Sequence, residues 1–394
     1  MLFSFALIFL GGIIIGNICQ KLKIPALFGM IVLGIVIGPY GIKLLDTSIL
    51  DISSTLRKIA LIIILSQAGL NLSLDSLKKV GRPAILMCFV PASFEIIGMI
   101  IFAPKIFGIT ILEAAILGTV IAAVSPAVVV PKMIKLMDEK YGTKEGIPEI
   151  IMAGASVDDI FVIVLFTSFT TLAKEGSFNV NSLLKIPTSI IFGIIFGCII
   201  GYLIYKIFRI FNINKIYKLL IFMSISFILV TIEDNITGII GFSGLLAIMS
   251  AGITLKKFDE FTAKELASIY GNMWQAASIL LFVLVGATVN INYALNSGLK
   301  SVILIFSVMI FRMLGVFISL LKTHLSNKEK LFCMLAYTPK ATVQAAIGTI
   351  PLAMGLTCGE VVLTVAVVAI LVTAPFGAFM IDLTYKKLLD KENS

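Results

Sequence analysis

Met152–Phe169 reads MAGASVDDIFVIVLFTSF, apolar enough to be a membrane span, yet Asp158 and Asp159 stand side by side within it. An aspartate near the centre of a span costs ~2.5–3.5 kcal/mol on insertion scales, so two of them undo much of what the surrounding Ile, Val, Leu and Phe contribute. Adjacent residues of an α-helix point about 100° apart, since 3.6 residues make a turn. One carboxylate can therefore pair with a base on a neighbouring helix while the other faces a water-filled cavity. The structural alternative, ion-paired glue between helices, needs two basic partners in different directions.

The rest of the chain has the same character. It is 59% apolar and 13% charged, and its apolar residues fall in runs of about 20, the length an α-helix needs to cross a bilayer. Period-2 alternation is absent, which excludes a transmembrane barrel. The sequence predicts an all-α polytopic membrane protein with about thirteen spans, near 2–19, 25–41, 55–72, 83–104, 112–136, 148–172, 184–208, 216–232, 237–255, 268–290, 299–321, 331–355 and 360–384. The connections are too short for a soluble catalytic or nucleotide-binding domain. No enzyme is expected, and the function belongs within the membrane.

The net charge of +9 is topology rather than a nucleic-acid footprint. Sorted by alternate loops, 20 Lys and Arg fall on one side (Lys21, Lys23, Lys78 and Lys79 among them) and 7 on the other, with Lys132, Lys206, Arg312 and Lys340 left in or at the ends of spans. The positive-inside rule then places the C-terminus in the cytoplasm and the N-terminus outside; the location expected for the chain is the plasma membrane. The first span lacks a basic n-region and a cleavage site, so it reads as a retained helix. Cys19, Cys88, Cys198, Cys333 and Cys358 have no metal-ligand spacing and read as small core residues.

Ionisable residues within spans are functional candidates. Besides the aspartates, they are Glu95 in FVPASFEIIGMIIF, Arg312 in SVMIFRMLGVF, and Lys340. Arginine does not release its proton, so Arg312 is a fixed counter-charge, best read as a partner of Glu95 or Asp158. Lys340 is either a titrating base or a charge held against helix C-termini.

Two spans are interrupted by proline. One reads GTVIAAVSPAVVVPKMIKL, with Ser125-Pro126 and then Pro131; the other reads MLAYTPKATVQAAIGTIPLAMG, with Thr338-Pro339 and then Pro351. Proline removes a donor and clashes with the preceding turn. Broken helices in corresponding positions of two halves point to a transporter's binding site, where freed carbonyls and half-helix ends can coordinate an ion. The offset of seven spans is odd, so the two units are inverted relative to each other. Lys340 and Gln344 share a face if the helix runs through them, which as a structural reading makes an internal polar seam. Gly12/Gly16, Gly34/Gly38 and Gly193/Gly197 read as generic close packing, and His324 as a solvated loop residue.

AAVSPAVVVPKM, GASVDDI, IFRMLG and TPKATVQAAIG, in this order, resemble the cation/proton antiporter superfamily, most closely its NHA branch of sodium/proton exchangers. LSQAGLNLSLDSLKK and GFSGLLAIMSAGITL are also similar to helices of that family. The resemblance implies a homodimer and inverted repeats with two crossed discontinuous helices. It also implies elevator-type alternating access, with core helices at about 55–172 and 268–384 and dimerisation helices at about 1–41 and 184–255. By position, Asp159 is then the carboxylate for Na⁺ or Li⁺ and for the proton, and Asp158 contributes to the site and contacts the base. Arg312 is that base, with Glu95 as a further partner; Lys340 is a further charge-compensating or coupling candidate. Backbone at Ala123, Val124 and Ser125, together with Ala155, completes the ion's shell. No cofactor is implied; the partners are a monovalent cation, a proton and the lipid bilayer. Many bacterial relatives with an acid pair carry lysine where this chain has Arg312, and the arginine tilts the expectation toward electroneutral exchange.

The rivals are K⁺/H⁺ exchange or a K⁺ efflux system or channel on the same scaffold, an organic-anion or bile-acid symporter of related architecture, and a non-transporting sensor. The efflux systems usually carry soluble regulatory domains, the symporter site favours hydroxyls and amides over an acid pair, and a sensor needs an output domain.

Overall fold

The computed structural model describes residues 1–22, 24–72, 81–175, 185–211, 213–235 and 241–392. Lys23, Lys78 and Lys79 of the charge tally, the end of the LSQAGLNLSLDSLKK motif, and the first residues of the spans expected at 184–208 and 237–255 lie outside the described residues. Among the described residues there is no strand, only an isolated antiparallel bridge between Tyr141 and Lys391. The helices are α1 (Leu2–Lys21), α2 (Ala26–Ile37), α3 (Thr47–Asp51), α4 (Ser53–Asn71), α5 (Arg82–Met87), α6 (Val90–Phe107), α7 (Ile111–Ala122), α8 (Pro126–Asp138) and α9 (Ile147–Glu175). They continue as α10 (Lys185–Ile210), α11 (Lys215–Asn235), α12 (Gly244–Phe258), α13 (Glu260–Ala287), α14 (Ile291–Ser319), α15 (Asn327–Ala336), α16 (Thr342–Ile347), α17 (Ile350–Ala353) and α18 (Gly359–Leu388).

Every span expected from the sequence contains helix, and the protein is an all-α, multi-pass membrane protein. Among the described residues, nine helical stretches are long and apolar enough to cross a bilayer. The others are shorter or more polar. At 12 residues α2 is too short to cross alone, α4 carries Arg57 and Lys58, and the span expected at 331–355 is divided into α15, α16 and α17.

Contacts divide the chain into two compact units: residues 1–54, 74–162 and 281–394, and residues 55–73 and 163–280. In the second unit α10 packs on α12. Gly193, Gly197 and Gly201 form one face of α10, where a Cβ would come 2.9, 2.5 and 2.5 Å from the carbonyl oxygens of Ser243, Ala247 and Ala251. The small residues bring the two backbones together, as the glycine spacing predicts. Cys198 faces outward from this helix and is exposed, unlike the other four cysteines, so it is not the core residue expected. His324 is exposed, as expected of a loop residue.

The first unit holds all the polar candidates. Here α6 is pressed against α14 and α7: a Cβ on Gly315 would fall 2.7 Å from the Cα of Pro91, and one on Gly118 would fall 3.1 Å from the Cα of Ile96. This approach carries Glu95 of α6 to Arg312 of α14. Both interrupted helices begin with a capping box. Thr110 N–H donates to Glu113 Oε2 at 2.8 Å with Glu113 N–H returning to Thr110 Oγ1, and Ser326 and Glu329 repeat the arrangement at the start of α15.

Both breaks fall at the expected prolines. Ser125 is extended (φ −90°, ψ 109°), the conformation that a following proline imposes, and Pro126 opens α8, where its missing N–H costs nothing. Pro131 sits inside α8 without ending it. The second break runs from Tyr337, which caps α15, to Ala341, which precedes α16. Lys340 therefore lies in non-helical backbone, and the helical register expected to align it with Gln344 does not apply.

Candidate ion-binding site

The two breaks meet: the Ser125 N–H donates to the Pro339 carbonyl at 2.8 Å. Around that contact the protein buries five ionisable side chains. Arg312 and Asp158 are 0% exposed, Glu95 and Lys340 1%, and Asp159 9%. Charges so placed are stable only when paired and hydrogen-bonded, and four of the five are.

Arg312 is the hub. Its Nη1 donates to Glu95 Oε2 at 2.8 Å and its Nη2 to Asp158 Oδ2 at 2.9 Å. It therefore pairs with both acids rather than one of them. Its Nε donates to the Tyr337 carbonyl at 2.6 Å, and Nη1 also donates to the Ala122 carbonyl. Those carbonyls end the half-helices α15 and α7, where the peptide dipoles leave partial negative charge. The guanidinium also lies over the Tyr337 ring, 4.8 Å from its centroid. The role of holding helix C-termini thus falls to Arg312. Lys340 instead donates from Nζ to Glu95 Oε2 at 2.6 Å, while its backbone N–H donates to Thr373 Oγ1 at 2.9 Å.

Asp158 binds the first break directly, accepting the Val124 N–H at 2.9 Å on the same Oδ2 that Arg312 holds. This places a negative charge at the start of α8, where the helix dipole favours one. Gln344 reaches back from α16 to the carbonyls of Ile121 and Ala123, at 3.2 and 2.9 Å. Ala155, one turn before Asp159 on α9, is fully buried. Asp159 differs from its neighbour in having no hydrogen bond or ion pair among the described residues, and its Oδ1 is buried. Asp158 Oδ1 and Ser125 Oγ are likewise buried without a partner.

The cluster thus joins α6, α7, α9, α14 and the two breaks, and includes every ionisable candidate named from the sequence. Sequence reasoning missed Tyr337 and Thr373. Tyr337 immediately precedes the Thr338-Pro339 pair, but a tyrosine contributing its carbonyl and ring face leaves no pattern. Thr373 has no signal at all. The capping boxes Thr110–Glu113 and Ser326–Glu329 were legible signals that both interrupted helices begin alike.

A multi-span helical protein in which two helix breaks meet over buried carboxylates is a membrane transporter. The fold agrees: the structure of the sodium proton antiporter MjNhaP1 from Methanocaldococcus jannaschii superposes with a TM-score of 0.83, at 22% identity, over 98% of this chain and 97% of that one. The family described as sodium/hydrogen exchanger, transmembrane, matches residues 5–387. Sodium/hydrogen exchanger 9B2 of Xenopus tropicalis is 32% identical over 96% of this chain and 73% of its own length. Human sodium/hydrogen exchanger 9B1 is 32% identical over 99% of this chain and 78% of its own. The chain belongs to the sodium/hydrogen exchanger family.

Proposed function

We propose that this protein exchanges Na⁺ or Li⁺ for H⁺, with Asp159 as the group that binds one or the other. The observation that carries the reading is the contrast between the two aspartates: Asp158 is held by Arg312 and Val124, whereas Asp159 has no partner among the described residues. Three carboxylates (Glu95, Asp158, Asp159) stand against two cations (Arg312, Lys340), so the ionised cluster carries one uncompensated negative charge. A buried charge of that kind is costly. A single proton or a single monovalent cation on Asp159 removes it. Either loaded form is neutral and crosses the bilayer cheaply, and the empty form does not. Competition for one carboxylate couples the two gradients, and equal charge in both loaded forms makes the exchange electroneutral and one for one.

Oxygen atoms suit small alkali cations, and oxygens from Ala123 to Ser125, Ala155 and Asp158 complete the shell in this reading. Neither an organic cofactor nor covalent chemistry is required. The protein acts as a homodimer in the plasma membrane, N-terminus outside and C-terminus cytoplasmic. The halves form inverted repeats, and helices at about 55–172 and 268–384 travel as an elevator against those at about 1–41 and 184–255. That grouping is one of motion; the two compact units are a grouping of packing in one conformation, and the two need not coincide.

The test is exchange in proteoliposomes. A pH gradient is imposed, Na⁺, Li⁺ or K⁺ is added, and a lumenal dye reports pH with and without valinomycin clamping the potential. Na⁺ and Li⁺ dissipate the gradient in the wild type but not in Asp159→Asn, and the clamp makes no difference. Equal activity in Asp159→Asn sinks the assignment, and K⁺ acting as well as Na⁺ moves the reading to a K⁺ exchanger.

A further inference from the structure

The end of α7 leaves backbone carbonyls without helical partners, and side chains of the second broken region and its neighbour α14 take three of them. Arg312 takes Ala122 O, and Gln344 takes both Ile121 O and Ala123 O. Gln344 is 1% exposed, and its amide nitrogen has two hydrogens, so both are used. Turning the amide over would set its oxygen against two carbonyl oxygens. The orientation is therefore fixed by chemistry, and Gln344 Oε1 is left buried without a partner.

The Ala123 carbonyl and the Val124 N–H belong to one peptide group. Gln344 holds its oxygen edge at 2.9 Å and Asp158 holds its nitrogen edge at 2.9 Å. That peptide is the part of the first break directly tied to the aspartate pair, and it cannot rotate without losing both bonds. Arg312 and Lys340 balance charge, whereas Gln344 is neutral and acts only on shape. Alkali cations of equal charge are told apart by the positions and number of the oxygens they meet, and backbone carbonyls discriminate in proportion to how they are held.

We infer that Gln344 is a positioning residue for cation selectivity. By clamping the Ala123–Val124 peptide against Asp158, it fixes where the oxygens of the first break meet the transported ion. This rests on Asp159 being the cation's carboxylate. Gln344 itself carries no proton and no net charge through the cycle.

The experiment compares wild type, Gln344→Met and Gln344→Asn in proteoliposomes, with KM and kcat measured separately for Na⁺, Li⁺ and K⁺. Methionine keeps the length and removes the donors; asparagine keeps the amide but is one methylene too short to reach both carbonyls. Gln344→Leu, which removes the donors without adding a charge, replaces any variant that fails a thermal-unfolding check in detergent. The expected result is a KM for Na⁺ raised at least tenfold and a ratio of kcat/KM for Na⁺ over K⁺ lowered at least tenfold, with kcat for Li⁺ changed less than threefold. A uniform fall in kcat with the ion ratio unchanged reduces Gln344 to a brace and overturns the inference. An active wild type whose variants match it overturns the inference alone. A wild type that moves no cation overturns the Asp159 reading, and this inference with it.

Discussion

Replacing each aspartate by asparagine separates the two in stability as well as in transport. Asp158 Oδ2 accepts from Arg312 and from the Val124 N–H, both at 2.9 Å, in a fully buried setting. In Asp158→Asn the amide keeps an acceptor oxygen in place, so what is lost is charge. Arg312 and Lys340 would then share Glu95 as their one carboxylate partner in direct contact, because Asp159 pairs with neither among the described residues. Removing one partner of a buried pair costs ~3–5 kcal/mol; the bond from the Val124 N–H also falls from charge-assisted, ~1.5–3 kcal/mol, to neutral, ~0.5–1.5 kcal/mol. Asp159 has no partner to abandon among the described residues. Asp159→Asn removes a buried charge that nothing balances, and its stability should stay within ~1 kcal/mol of wild type or rise. Reversible unfolding in mixed micelles at pH 8, without Na⁺ or Li⁺, measures both. Asp158→Asn losing several kcal/mol while Asp159→Asn unfolds like wild type is the expected pattern. Equal losses, or a larger loss at Asp159, would refute the division of labour between the two carboxylates.

Other perturbations follow from the same contacts. Arg312→Met leaves Asp158 without a counter-charge and two half-helix carbonyls without their donor, Glu95 keeping Lys340, whereas Lys340→Met leaves both Glu95 and Asp158 held by Arg312; in the same unfolding assay the arginine variant should be the less stable by ~2 kcal/mol or more. Gly315→Leu drives a side chain into Pro91 and pushes α14 off α6, so it should cost at least ~1–3 kcal/mol and abolish exchange by separating Arg312 from Glu95. Beyond the end of α18, Leu389 packs with Met133, Leu136 and Ile147, and the segment after it pairs with the α8–α9 connection through Gly142 N–H to Asp390 O and Glu392 N–H to Lys140 O. Leu389→Ala should therefore cost ~2–5 kcal/mol, and amide exchange should quicken at residues 140–143.

The sequence made the spans legible because hydropathy and length depend on local composition. It made the ionisable cluster legible because a charge in an apolar run is conspicuous wherever its partner lies. The breaks were visible at Ser125-Pro126 and Thr338-Pro339 because proline acts on its own backbone. Pairing was not legible. Arg312 meets partners 217 and 154 residues away and binds both, a three-body arrangement that no spacing encodes. Lys340 and Gln344 looked like neighbours on one helical face, but the break places Lys340 on Glu95 and Gln344 on α7. Backbone ligands such as the carbonyls of Ala122 and Tyr337 are invisible in principle, since every residue carries one.

The most direct test of a single shared carboxylate is a proton count. Purified protein in weakly buffered detergent solution is titrated with Na⁺, and the protons released are measured alongside the Na⁺ bound, at pH values across the working range. Competition at Asp159 predicts a release that approaches, and never exceeds, one proton per Na⁺ as the pH is lowered, and no release from Asp159→Asn. Sodium binding without proton release at any pH, or undiminished release from Asp159→Asn, would contradict it.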